Sequence, residues 1–132
     1  MEYTKEEIER LASSPLSEGV FMVRVGGPGD VVTNVEHRVK HHSPTGLEYG
    51  YGGSGPSDMA LNLCEMIVEE EGFEKDGFVE MSGEKVSRTT YRLYQDVKWA
   101  IIAKVDDSGG ILKYDEVLDV FKEIADNCGV NL

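Results

Sequence analysis

The residues best suited to chemistry cluster between positions 36 and 58. Glu36, His37, Arg38, Lys40, His41 and His42 lead into Gly46-Leu47-Glu48-Tyr49-Gly50-Tyr51-Gly52-Gly53-Ser54-Gly55-Pro56, where five of the ten residues from Gly46 to Gly55 are glycine. A glycine-dense loop feeding a helix N-terminus can aim unpaired main-chain N–H groups at a phosphate or carboxylate. The loop is not a P-loop, since no lysine follows Gly55. It is not a dinucleotide fingerprint either, since no strand runs directly into a G-x-G-x-x-G. Asp58, in the first turn of the following helix, adds a charge that an incoming anion disfavours. The competing reading is structural: the glycines let the loop cross a sheet closely, with Tyr49 and Tyr51 as anchors.

His37 and His41 fall on one side of an alternating segment, about 13 Å apart on a strand, too far for one metal ion. H-R-V-K-H also lacks the glutamate of H-E-x-x-H, so no metal or other cofactor is expected. A histidine with Asp58 or Glu48 has the parts of a general base. Gly52-Gly53-Ser54-Gly55-Pro56 has proline where a nucleophile elbow needs its second glycine, so Ser54 reads as a helix cap and no catalytic residue is assigned. Arg92 and Trp99, two helical turns apart, can pair with or stack on an anion, although Arg92 with Asp96 also suits an ordinary i,i+4 surface pair. The candidate ligand-binding set is therefore His41, His42, Tyr49, Tyr51, Gly52, Gly53, Ser54, Gly55 and Arg92. Cys64 and Cys128 sit on apolar stripes without a C-x-x-C pair, which predicts buried, inert thiols.

The elements that must position these residues follow from hydrophobic period and punctuation. Thr4 with Glu6 and Glu7 predicts a capped, peripheral helix bearing Ile8, Leu11 and Ala12 and ending at Pro15. Val20–Val25 reads as a buried strand. After the turn at Gly26–Asp30, the alternation from Val31 to His41 reads as its hairpin partner. A helix from Pro56 to about Glu71 buries Ala60, Leu61, Leu63, Cys64, Ile67 and Val68 and turns Asn62, Glu65 and Glu69 to water; Gly72 stops it. Residues 73–87 are weakly patterned and read as the flexible part, with Phe78-Val79 as a candidate third strand. A helix from about Thr89 to Val105 places Tyr94, Val97, Ile101 and Val105 inward and Arg88, Arg92, Gln95 and Trp99 on another face. A last helix carries Val117, Val120, Phe121, Ile124 and Cys128 and ends at Gly129. The fold class is α+β: a small antiparallel sheet built on the hairpin 20–41, packed against three to four helices. The 132 residues make one domain, with 1–18 as a peripheral helix and linker and 19–132 as the core.

With 25 acidic against 13 basic residues the net charge is −12. Such a surface repels a phosphate backbone, which disfavours nucleic acid as a partner. Basic residues converge in two places: Arg38, Lys40, His41 and His42, and the 88–105 helix, where Arg88, Arg92, Lys98 and Lys104 face the single carboxylate Asp96. No apolar run suffices for a membrane span and the charged first ten residues do not suit a secretory signal, so a cytoplasmic location is expected.

His42-Ser43-Pro44-Thr45-Gly46-Leu47-Glu48-Tyr49-Gly50-Tyr51-Gly52-Gly53-Ser54-Gly55-Pro56 with Ala60-Leu61 resembles the signature H-S-P-x-G-[FL]-E-[WY]-G-Y-G-G-S-G-P-x-x-x-A-L of an uncharacterised prokaryotic and phage domain family. Tyr91–Trp99 is similar to its second block, with Val97 in place of phenylalanine. The resemblance spans roughly residues 20–125. It implies a compact α+β unit of archaeal, bacterial or phage genomes in which the glycine-rich loop and the helix from Thr89 form a joint feature. It carries no activity, cofactor or catalytic residue.

Together these features lead to a small acidic binding or regulatory domain, acting on an anionic small ligand or a protein partner through loop 46–56. Two alternatives stand beside it. One is a phosphoesterase or nucleotide-processing enzyme using histidine with Asp58 or Glu48. The other is an acidic inhibitor that mimics nucleic acid, presenting Glu65, Glu69, Glu70, Glu71, Glu74 and Asp76. The apolar run of the 89–105 helix serves a homodimer as readily as a core.

Overall fold

Val20–Arg24 forms β1, whose β-branched and aromatic side chains are buried on both faces, with Val20, Phe21 and Met22 fully covered. It is the centre of a three-stranded antiparallel sheet in the computed structural model, which describes residues 3–43 and 46–132. Pro44 and Thr45, part of the motif above, lie outside the described residues. Val31–Thr33 (β2) pairs on one side of β1, with Met22 opposite Thr33. Gly110–Leu112 (β5) pairs on the other, with Phe21 opposite Ile111. Lys5–Ala12 (α1) starts in a Thr4–Glu7 capping box and buries none of its residues, as a peripheral helix should. Beside it, Tyr3 meets Phe21 edge to face, with ring centroids 5.4 Å apart.

The hairpin is shorter than the alternation predicts. At Asn34 a side chain takes over from the ladder: Oδ1 accepts the Phe21 N–H at 2.8 Å and Nδ2 donates to the Gly19 carbonyl at 2.8 Å, filling the next rung. Beyond it, residues 35–43 run as a strap without strand pairing, although Val35 and Val39 still point into the core. Alternating burial does not require a sheet; it requires only an extended chain whose main-chain groups find other partners.

Those partners come from Ser54–Glu71 (α2). Its apolar stripe of Ala60, Leu61, Leu63, Cys64, Ile67 and Val68 is buried as its spacing predicts. The polar stripe departs from expectation, for Asn62 is fully buried and Asp58 with it. The helix begins two residues before Pro56, with Gly53 as its N-cap and no side-chain cap bond, so Ser54 is not the capping hydroxyl. Residues 73–87, expected to be the flexible part, contain an antiparallel hairpin, Phe78–Met81 (β3) with Glu84–Ser87 (β4). Strands of four residues give too little period to stand out. Arg88–Ala100 (α3) ends earlier than expected and continues as a 3-10 turn at Ile102–Lys104. Tyr114–Asn127 (α4) closes the chain, burying Val117, Phe121 and Ala125. Cys64 is fully buried and burial pushes its thiol well up; Cys128 is only half-buried. Among the described residues, four α-helices and two small antiparallel sheets make the fold α+β.

Candidate functional site

Asp58, Asn62, Glu65 and Glu69 recur at i, i+4, i+7 and i+11 on α2, one continuous face of a helix. Each holds a neighbouring segment. Asp58 accepts the N–H groups of His41, His42 and Ser43 at 3.2, 2.8 and 3.0 Å, and its Oδ2 lies 3.3 Å from His37 Nε2. Asn62 accepts from Arg38 N and Val39 N and donates to the Val39 carbonyl. Glu65 accepts from both the main chain and the hydroxyl of Ser87, and Glu69 pairs with Arg38. A stripe expected in water is thus the ladder for the strap. The acidic run is correspondingly less available than a decoy would need, because Glu71 also accepts from the Tyr114 hydroxyl.

A second anchor fixes the loop from its other end. Arg24, on β1, grips Glu48 through Nε and Nη2, both 2.9 Å from Oε1, and donates from Nη2 to the Tyr49 carbonyl. Its guanidinium stands 4.3 Å from the centroid of the buried Tyr49 ring. Burial raises the Glu48 pKa, but the hydrogen bonds from Arg24, Gly29 N–H and Tyr49 N–H outweigh it and hold the carboxyl below the usual carboxylate value. Gly55 must lack a side chain here, since an added Cβ would come within 2.5 Å of Glu48 Cβ. Neither Asp58 nor Glu48 keeps the open oxygen that a general base needs.

The histidines divide. His41 is exposed and contacts Ser82 through Nδ1 at 2.8 Å. His42 is half-buried, its Nε2 at 2.7 Å from the Tyr94 hydroxyl. Burial, with His41 and Lys98 nearby, lowers the His42 pKa despite Asp58, so the ring is neutral at pH 7. Among the described residues no group of three His, Cys, Asp or Glu is arranged to hold a metal ion.

Between the two anchors lies the loop itself. Gly50 N–H donates to the Ile102 carbonyl at 2.9 Å. The N–H groups of Tyr51, Gly52, Gly53, Ser54 and Gly55 have no acceptor among the described residues. A cleft of about 250 Å³ opens there, with Glu48, Tyr51, Ser54 and Gly55 in its wall. Tyr51 and Trp99 are 50% and 57% exposed, whereas Tyr49 is wholly buried, so only one of the two expected anchors is internal. Gly52 lies under the indole: an added Cβ would fall inside the Trp99 ring edge at Cη2 and Cζ3.

The structure does not bring Arg92 to this place. Its Nη2 donates to the Cys128 carbonyl at 3.1 Å, and it lines a different cleft with Glu74, Asp76 and Val130. The cation near the loop is Lys98, one of the four basic residues of the 88–105 stretch but not a member of the candidate ligand-binding set. It is only 7% exposed, its ammonium 4.4 Å from the Trp99 ring centroid. Among the described residues it has no carboxylate within 4 Å and no hydrogen-bond acceptor. Its spacing of four from Tyr94, itself paired to His42, is the one signal in the sequence that could have placed it.

Fold and site together define a small α+β domain whose long irregular strap and loop are clamped by buried carboxylates, leaving a glycine-rich tip and two aromatic rings outside. The chain belongs to a family described only as of unknown function (DUF6166), whose model matches residues 16–88. That match takes in the strap, the loop, α2 and the β3–β4 hairpin; Tyr91–Trp99 lies beyond it. No curated protein and no solved structure matches the chain. Among the described residues no helix is long and apolar enough to cross a membrane.

Proposed function

We propose that this is a small, non-enzymatic binding domain that captures an anionic group, carried by a small ligand or by a protein partner, at loop 46–56. The observation that carries the reading is the run of N–H groups from Tyr51 to Gly55, without acceptors among the described residues, at the mouth of a cleft. Main-chain donors at a helix start favour negative charge, and Lys98 adds a cation within an otherwise acidic surface, which focuses an anion at one spot. Glu48 in the wall is neutralised by Arg24 and so opposes the ligand little. The engaged state of Asp58 and Glu48 speaks against the hydrolytic alternative. Thermal denaturation in the presence of phosphate, sulfate, carboxylates and nucleotides tests the reading. An anion at 100 times its Kd should stabilise by about 2.7 kcal/mol, a rise of a few degrees, and Lys122→Met on the far helix should not change it. No shift with any anion removes the anion from the reading and leaves a protein partner seated on the exposed Tyr51 and Trp99.

A further inference from the structure

We propose that the site takes a single nucleotide, its phosphate between the Lys98 ammonium and the Tyr51–Gly55 donors and its base on the exposed rings of Trp99 and Tyr51. This deepens the anion-binding reading and rests on it. Three observations beyond the helix start support it. The first is Lys98: an ammonium on a side chain more than nine-tenths buried ordinarily finds a carboxylate, yet in a chain with 25 acidic residues none of those described lies within 4 Å of it. No described buried side-chain nitrogen or oxygen lacks a partner, so the ammonium opens to the outside rather than into a sealed core. It lies over the Trp99 ring, whose six-membered edge meets Gly52, which places it on the side of α3 that meets the loop.

The second is Trp99, the one tryptophan of the chain, more than half exposed and nonetheless held on two sides. Gly52 accommodates its six-membered edge where any side chain would collide, and the Lys98 ammonium lies against the ring. An indole held in place with a large area in water is a ready platform for another flat ring. The third is Tyr51, half exposed and folded over Gly53, so consecutive glycines each seat one of two exposed aromatic rings at the tip. One phosphate and one base match this site. A strand would run from it onto a surface with roughly two acids for every base, which repels further phosphates.

Trp99 is its own probe, because all indole emission comes from the site. Titration with AMP should quench it saturably. Ribose 5-phosphate should bind about tenfold more weakly, for loss of stacking, and inorganic phosphate more weakly still. Lys98→Met, which keeps the buried stem, should weaken AMP at least tenfold at an unchanged melting temperature, and Lys98→Arg should restore most of it. Should Lys98→Met fail to fold, Trp99→Phe followed by calorimetry replaces it, with the same tenfold loss expected. If AMP binds no better than ribose 5-phosphate, the nucleotide is overturned while the anion stands; if no probe binds, both fall. AMP binding that survives Lys98→Met overturns the phosphate position. A 5′-phosphorylated oligonucleotide binding more tightly than AMP overturns the single-nucleotide form.

Discussion

Asp58 shows how much one side chain decides in this protein. A carboxylate with no exposure is stable only because three main-chain N–H groups and the His37 ring surround it. Asp58→Asn keeps the shape but sets an amide against those donors. Urea unfolding should show a loss of about 2–4 kcal/mol, far above that of a surface Asp115→Asn control. His42 predicts a pH effect. Its folded pKa lies below the ordinary 6.5, so the unfolded chain binds the proton first. The stability this contributes is complete above pH 6.5 and falls as pH drops through and below that value. The unfolding midpoint should therefore decline on acidification from pH 7, and His42→Gln should flatten that decline before carboxylates such as Glu48 begin to titrate. Single residues were unevenly legible. The loop glycines announced a special backbone by composition alone, whereas the burial of Asp58 and Lys98 depends on which segment crosses α2 and α3, and nothing local encodes that.

The strap is an element with no repeating main-chain bond of its own. Asn62 supplies three of its connections, through both atoms of one amide. Asn62→Leu fits the space and orphans those partners, so it should cost about 3 kcal/mol and raise amide exchange at Arg38 and Val39 well before exchange in α2 changes. Gly52→Ala tests the junction of loop and α3. Its Cβ must push Trp99 aside, at about 1–3 kcal/mol, and should shift the indole emission without altering helix content. Helices α2 and α4 were readable because their apolar residues recur over four turns, long enough for a 3.6-residue period to be distinctive. The strap mimics a strand, since Val35 and Val39 point inward whether the neighbours are strands or side chains. Strands β4 and β5, four and three residues long, left no pattern to read.

Over the whole molecule, charge and topology set the behaviour. A net charge of −12 on 132 residues puts the folded chain under self-repulsion, and of the described arginines and lysines only Arg24 and Arg38 join carboxylates. Added sodium chloride should therefore raise the thermal midpoint by a few degrees up to about 0.5 M, because screening relieves repulsion over distances of about 10 Å more than it weakens short buried pairs. A falling midpoint would mean that the ion pairs dominate. Composition makes the charge plain and hydrophobic period the α+β class; the order β2-β1-β5 is not readable, because it joins residues 20–22 to residues 110–112.

That last pairing has a bearing on how the chain is made. The matched family segment stops at residue 88, yet β1 has its second neighbour only in Gly110–Leu112, and Phe73 stacks on Phe121 of the final helix. On the ribosome, one edge of β1 stays bare until Gly110–Leu112 emerges, beside an apolar face that α4 later covers. Until those two elements emerge the nascent chain is prone to sticking, because the piece that defines the kinship leaves an edge and an apolar face that only residues beyond it cover.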